Sequence, residues 1–117
     1  MELWHEPVSS DSTRLADRVD VAEHWVAKAR GRMFTRRFPE GSALVFPFDT
    51  AERRSIHMVG VPYHLDVVYL VEEEVTKVVT LRPLIGVSWG RADRIVELPA
   101  GTADDVDVGD RLVLRDA

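Results

Sequence analysis

Ser55-Ile56-His57-Met58-Val59-Gly60-Val61-Pro62-Tyr63-His64-Leu65-Asp66-Val67-Val68-Tyr69-Leu70 sets two β-like apolar runs on either side of a Gly/Pro break. The spacing predicts strands over Ser55 to Val59 and Leu65 to Val71, joined as an antiparallel hairpin through Gly60 to Tyr63. In that hairpin Val59 faces His64 and His57 faces Asp66 on one side, with Met58 and Leu65 on the other. Asp66 lies between Leu65 and Val67, so its ionised carboxylate must be paired, hydrogen-bonded or neutralised. Held as a charge by a partner, it makes Asp66→Asn destabilising by about 1–3 kcal/mol at neutral pH.

Outward from this stretch, Ala43 to Phe46 reads as a buried strand, and Val75 to Leu81, Ile95 to Leu98 and Arg111 to Leu114 as further strands. Val19 to Ala22 alternates like a strand. From Glu23 to Met33, Trp25, Val26, Ala29 and Met33 recur at helical spacing, which predicts the chain's one helix. Phe38 to Gly41 and Glu72 to Glu74 read as turns, Phe48 to Arg54 as the longest loop, and Trp89-Gly90-Arg91 as a loop. Short strands at hairpin spacing with one helix predict a mainly β (α+β) fold: a small antiparallel β-barrel-like domain, closed or nearly closed so that few edges stay exposed. At 117 residues it forms a single domain, 1–117, long enough to bury its own core.

Twenty acidic residues against 15 basic give a net charge of −5, and all the basic residues but Lys28 and Lys77 are Arg. Such Lys-poor, Asp-rich surfaces suit high salt, although a GC-rich coding sequence favours Arg and Val as well. An acidic average disfavours nucleic acid and anionic lipid, so neither is expected as a partner. Met1 to Ser10 offers neither a basic n-region nor an apolar h-region, and no apolar run reaches membrane-spanning length, so a cytoplasmic chain without a secretory signal is expected. Without cysteine there is no disulfide or thiolate chemistry.

Ala22 followed by Ala29 to Phe34, Ala43 to Phe46, Ile56-His57-Met58, Pro62 to Val67, Val96 to Gly101 and Gly109-Asp110 resembles the domain-of-unknown-function family 192 over nearly the whole chain. His57 and the Asp-rich composition look most like its archaeal members. The family's Gly-Leu-Met reads Gly31-Arg32-Met33 here, and its Asp-Gly hairpin turn is replaced by Glu72 to Glu74. The resemblance implies a small β-barrel-like fold with one helix and no established activity.

Chemistry is expected to centre on His57, Asp66 and Glu97, with Met58 beside them in a ligand pocket. A carboxylate beside a histidine fixes its tautomer and raises its basicity, so His57 could serve as base, Asp66 as orienter and Glu97 as second carboxylate of a small acid/base or hydrolytic enzyme. The alternative for the same groups is hydrogen bonding to backbone amides at a barrel mouth. No serine has a nucleophile-elbow context. No metal is expected, because His57, His64, Asp66 and Glu97 have no metal-ligand spacing and the run Asp104 to Asp110 lacks a calcium loop's closing glutamate. No cofactor is expected either. The leading reading is an accessory module that binds a small molecule or protein at the polar pocket; the second is the enzyme. A third is an interaction protein using Arg36, Arg37, Arg53 and Arg54, for which an exposed Arg-lined face without a pocket is the signature. The segment Arg30 to Phe38 reads as a solvated helix end, and Trp4, Trp25 and Trp89 as core or rim residues.

Overall fold

Leu65–Val71 is apolar at every position but Asp66 because both of its faces are buried; a strand exposed on one side would alternate. In the computed structural model, residues 1–22 and 38–116 are described. They form β1 (Glu2–Glu6), β2 (Thr13–Ala16), β3 (Arg18–Val21), β4 (Ser42–His57), β5 (Leu65–Val71), β6 (Glu74–Leu81), β7 (Val87–Pro99) and β8 (Arg111–Arg115). The strands make one sheet in the order β2-β1-β8-β6-β5-β7-β4-β3. All pairings are antiparallel except that of β3 with β4. The helix expected over Glu23 to Met33 lies outside the described residues, among which every element is a strand. Among them, too, no helix is long and apolar enough to cross a membrane.

Two apolar layers hold the sheet. On one face of the central strands Leu3, Val45, Val68, Leu70, Val96, Leu98 and Leu112 pack together; on the other, Leu44, Phe46, Ile56, Met58, Leu65, Val67, Tyr69 and Ile95. The sheet is not closed into a barrel. β2 and β3 are its two edges, yet Asp17 alone separates them in the chain, and one residue cannot reverse a strand into a hairpin. The chain runs from one edge to the other, and the Asp17 and Arg18 amides donate to the Gly41 carbonyl at 2.9 and 3.1 Å.

The expected hairpin does not form. β4 pairs with β7, not with β5, and β7 lies between the two. The reason is burial: β7 carries four consecutive buried residues, Ile95 to Leu98, and only a place between two strands, under both apolar layers, covers both of its faces. The two separate strands expected over Ala43 to Phe46 and Ser55 to Val59 are likewise one strand, β4. The loop expected from Phe48 to Arg54 is an irregular stretch within it, between Pro47, which pairs with Arg94, and Glu52, which pairs with Ala92. Beyond this irregularity, Glu52 to His57 and Val87 to Ala92 form a two-stranded arm whose Ile56 and Ala92 join the second apolar layer. Thr76 Oγ1 ties the arm to the sheet from between the Tyr69 and Arg91 carbonyls, 3.1 and 2.9 Å away, to either of which its hydroxyl can donate, and Lys77 Nζ donates to that of Trp89 at 2.6 Å. Trp89-Gly90-Arg91 is therefore strand, not loop. Gly90 is required there because a Cβ would stand 2.8 Å from the buried Tyr69 ring.

Candidate functional site

The three residues expected to share a site are dispersed. His57 pairs with Val87 at one end of β7 and Asp66 with Leu98 near the other, so β7 lies between their strands, although the neighbouring Met58 and Leu65 meet in one apolar layer. The strand order thus removes the hairpin on which the base-and-orienter pair was expected. Glu97 pairs with Val67 on the strand beside Asp66, but alternation turns it to the opposite face of the sheet. There it lies near Tyr69. Burial pushes the Tyr69 phenol above its ordinary value, the Ser88 hydroxyl opposes this, and the Glu97 carboxylate adds to it. Neither the Tyr69 nor the Ser88 hydroxyl meets hydrogen-bond geometry with a protein partner. Met58 is a core residue packed against Gly86.

Asp66, 1% exposed, clasps a turn. Its Oδ2 accepts from the Gly101 and Ala103 amides, each at 2.9 Å, and its Oδ1 from the Thr80 hydroxyl at 2.7 Å. It thereby holds the connection after β7, whose Ala103 and Val106 close the first apolar layer.

Asp110, the last residue of the run Asp104 to Asp110, repeats the device. Its Oδ2 bonds His5 Nε2 at 2.7 Å and accepts from the Asp107 amide at 3.0 Å, while its Oδ1 accepts from the Val8 amide at 3.2 Å. Burial alone would push the carboxyl up, but the Asp107 amide, His5 and the Val8 amide hold it below the usual carboxylate range. The pair lies at the wall of an open groove of about 730 Å³, lined also by Asp11, Asp105 and Asp107. Nothing local signals the contact, since 105 positions separate His5 from Asp110.

The outer face of the β4/β7 arm differs in chemistry from both. Cross-strand pairs set Arg53 opposite Arg91, Ser55 opposite Trp89 and His57 opposite Val87, and all six side chains are exposed. Like charges directly opposite one another oppose pairing. Among the described residues no carboxylate lies within ion-pair distance of Arg53 or Arg91, and the salt bridge of Arg54 with Glu52 engages the arginine next to Arg53. Arg54 itself is tied down, stacking 3.7 Å from the Phe48 ring centroid and donating to the Ala92 and Thr50 carbonyls.

The family model described as "Uncharacterized ACR", the domain-of-unknown-function family 192, matches residues 7–114. The chain belongs to this family. Two solved structures share the fold of this family 192 chain. One is a Sinorhizobium meliloti 1021 protein whose given name proposes a transcription regulator, at a TM-score of 0.79 and 18% identity over 96% of this chain and 91% of that one. The other is a protein of unknown function from Novosphingobium aromaticivorans DSM 12444, at 0.76 and 15% over 97% and 84%. Comparison with curated proteins gives no match. In this family 192 chain the turn between β5 and β6 places Glu72 and Glu73 at φ of 51° and 71°, the left-handed pair of a two-residue hairpin that Asp-Gly or Asn-Gly fills without strain. The other departure, Gly31-Arg32-Met33, lies outside the described residues.

Proposed function

We propose that the chain is a binding module that recognises an anionic partner through the exposed face of its β4/β7 arm. The observation that carries this reading is the Arg53/Arg91 pair, two guanidinium groups set across one ladder position with no carboxylate among the described residues to neutralise them, in a chain whose net charge is −5. Guanidinium forks match phosphate and carboxylate oxygens in bidentate geometry, and a bound anion would turn a repulsive pair into a two-point clamp. Trp89, adjoining the pair on the same face, supplies a flat apolar surface of the kind that binding faces use. This is the Arg-mediated interaction reading with Arg53 kept and Arg91 added to it; Arg36 and Arg37 lie outside the described residues, and Arg54 is engaged within the arm.

Titration of the full chain with inorganic polyphosphate by calorimetry, repeated at rising salt, tests it. Saturable binding that weakens steeply with salt is expected, and Arg53→Gln plus Arg91→Gln should abolish it. Heat that is absent at low salt, or unchanged in the double variant, contradicts the reading.

A further inference from the structure

At its far end the arm runs into two turns that close over one another. The Met58 amide donates to the Gly86 carbonyl at 2.9 Å, Leu84 to Val61 at 3.0 Å and Gly86 to Arg82 at 3.1 Å. Gly86 leaves no room for a side chain, since a Cβ would stand 2.6 Å from the Arg82 carbonyl oxygen and 2.9 Å from the Met58 side chain. Leu84 holds a φ of 64°, a left-handed conformation that bulky apolar residues avoid and that persists only where the surroundings enforce it. The result of this bracing is display. Leu84 is 56% exposed, Ile85 69% and Trp89 49%, with Val59 and Val87 also exposed around them.

The charge of this end is opposite to that of the chain. Residues 53–65 and 75–92 hold Arg53, Arg54, Lys77, Arg82 and Arg91 and no Asp or Glu, which leaves ten basic against 20 acidic residues in total for the rest. A cluster of aliphatic side chains at the summit, an aromatic ring below it and a cationic rim is the layout of a surface that sits in the interface of an anionic bilayer. We infer that the tip of the arm docks on an anionic lipid surface, with Leu84, Ile85 and Val59 entering the headgroup boundary and Arg53, Arg82 and Arg91 meeting lipid phosphates. This rests on the anion-binding reading of the arm and names its partner. Charge opposes a second copy as the occupant, because two such tips would bring their arginines together. The aliphatic summit opposes a nucleic acid, which would leave Leu84 and Ile85 in water and offer them no stacking contact.

Co-sedimentation of the full chain with vesicles tests the inference, comparing phosphatidylcholine alone with an equimolar mixture of phosphatidylcholine and phosphatidylglycerol. Binding to the mixed vesicles only, with a blue shift of tryptophan emission that Trp89→Phe removes, is expected. Leu84→Asn plus Ile85→Ser keeps a residue that tolerates positive φ and should lower vesicle affinity by about tenfold or more while polyphosphate binding stays unchanged. No binding to mixed vesicles, or equal binding by this variant, overturns the lipid assignment. If polyphosphate still binds, the anion-binding reading survives that failure; if it does not, both fall. Tighter binding of a single-stranded oligonucleotide than of mixed vesicles would also overturn the assignment in favour of nucleic acid.

Discussion

Asp66 and Asp110 act alike at two ends of one connection: each is a buried carboxylate turned towards backbone amides that would otherwise lack acceptors. Removing such an acceptor leaves donors desolvated and unpaired, at about 1–3 kcal/mol apiece. Asp66→Ala should therefore destabilise the fold by about 3 kcal/mol in urea melts. Asp66→Asn should cost about 1 kcal/mol, the low end of the expected range, because one amide oxygen can still accept from Gly101 and Ala103 while Thr80 reverses its hydroxyl. Equal losses in the two variants would show that the charge itself matters more than the acceptor count. For Asp110 the effect depends on pH. Its folded pKa is lowered, so its stabilisation is fully present above the unfolded value of about 3.9 and disappears as pH falls through the folded one. Asp110→Asn should be less stable than the parent at pH 7, and the gap should close as acidification passes through the folded pKa. A gap that widens on acidification would reverse the sign assigned here.

At the scale of elements, the seating of the arm on the sheet leaves no room at one position. Gly90 lies under the fully buried Tyr69 ring, which has no free direction in which to move. Gly90→Ala should therefore cost about 1–3 kcal/mol, as overpacking does, although alanine is otherwise the better residue in a strand. The β5–β6 turn offers the opposite case. Glu72 holds a φ of 51°, which asparagine tolerates better than glutamate, so Glu72→Asn should stabilise by about 0.5 kcal/mol. Denaturant midpoints check both. Elements whose character is set by their own residues were legible in sequence: Leu65 to Val71 is a strand with the bounds its apolar run implies, and Asp66 is buried and partnered as its neighbours require. β1 and β2 were not, because Glu2, His5, Glu6, Thr13 and Arg14 interrupt their apolar positions. Pairing was not legible either. The Gly/Pro break made β4 and β5 look like a local hairpin, whereas burial of both faces of β7, a non-local term, placed that strand between them and separated His57 from Asp66.

For the whole molecule, net charge is the quantity that misdirects most. The value of −5 describes an average, and the average conceals two segments, 53–65 and 75–92, with five cations and no carboxylate. Only the register reveals it, by bringing Arg53 against Arg91 and stacking Trp89 and Val87 above them. The same non-locality hid the His5–Asp110 pair, whose members come from the two ends of the chain. If the Arg53/Arg91 pair is an unoccupied anion clamp, it weakens the free protein by about 0.2–1 kcal/mol, the range for opposed like charges, and an anion should reverse that loss. Thermal melts of the parent and Arg53→Gln, with and without inorganic polyphosphate at low salt, measure both effects at once. The expected result is a variant that melts higher than the parent without polyphosphate, and a midpoint that rises with polyphosphate in the parent but barely in the variant. A parent that melts higher than the variant and is unmoved by polyphosphate would contradict the clamp.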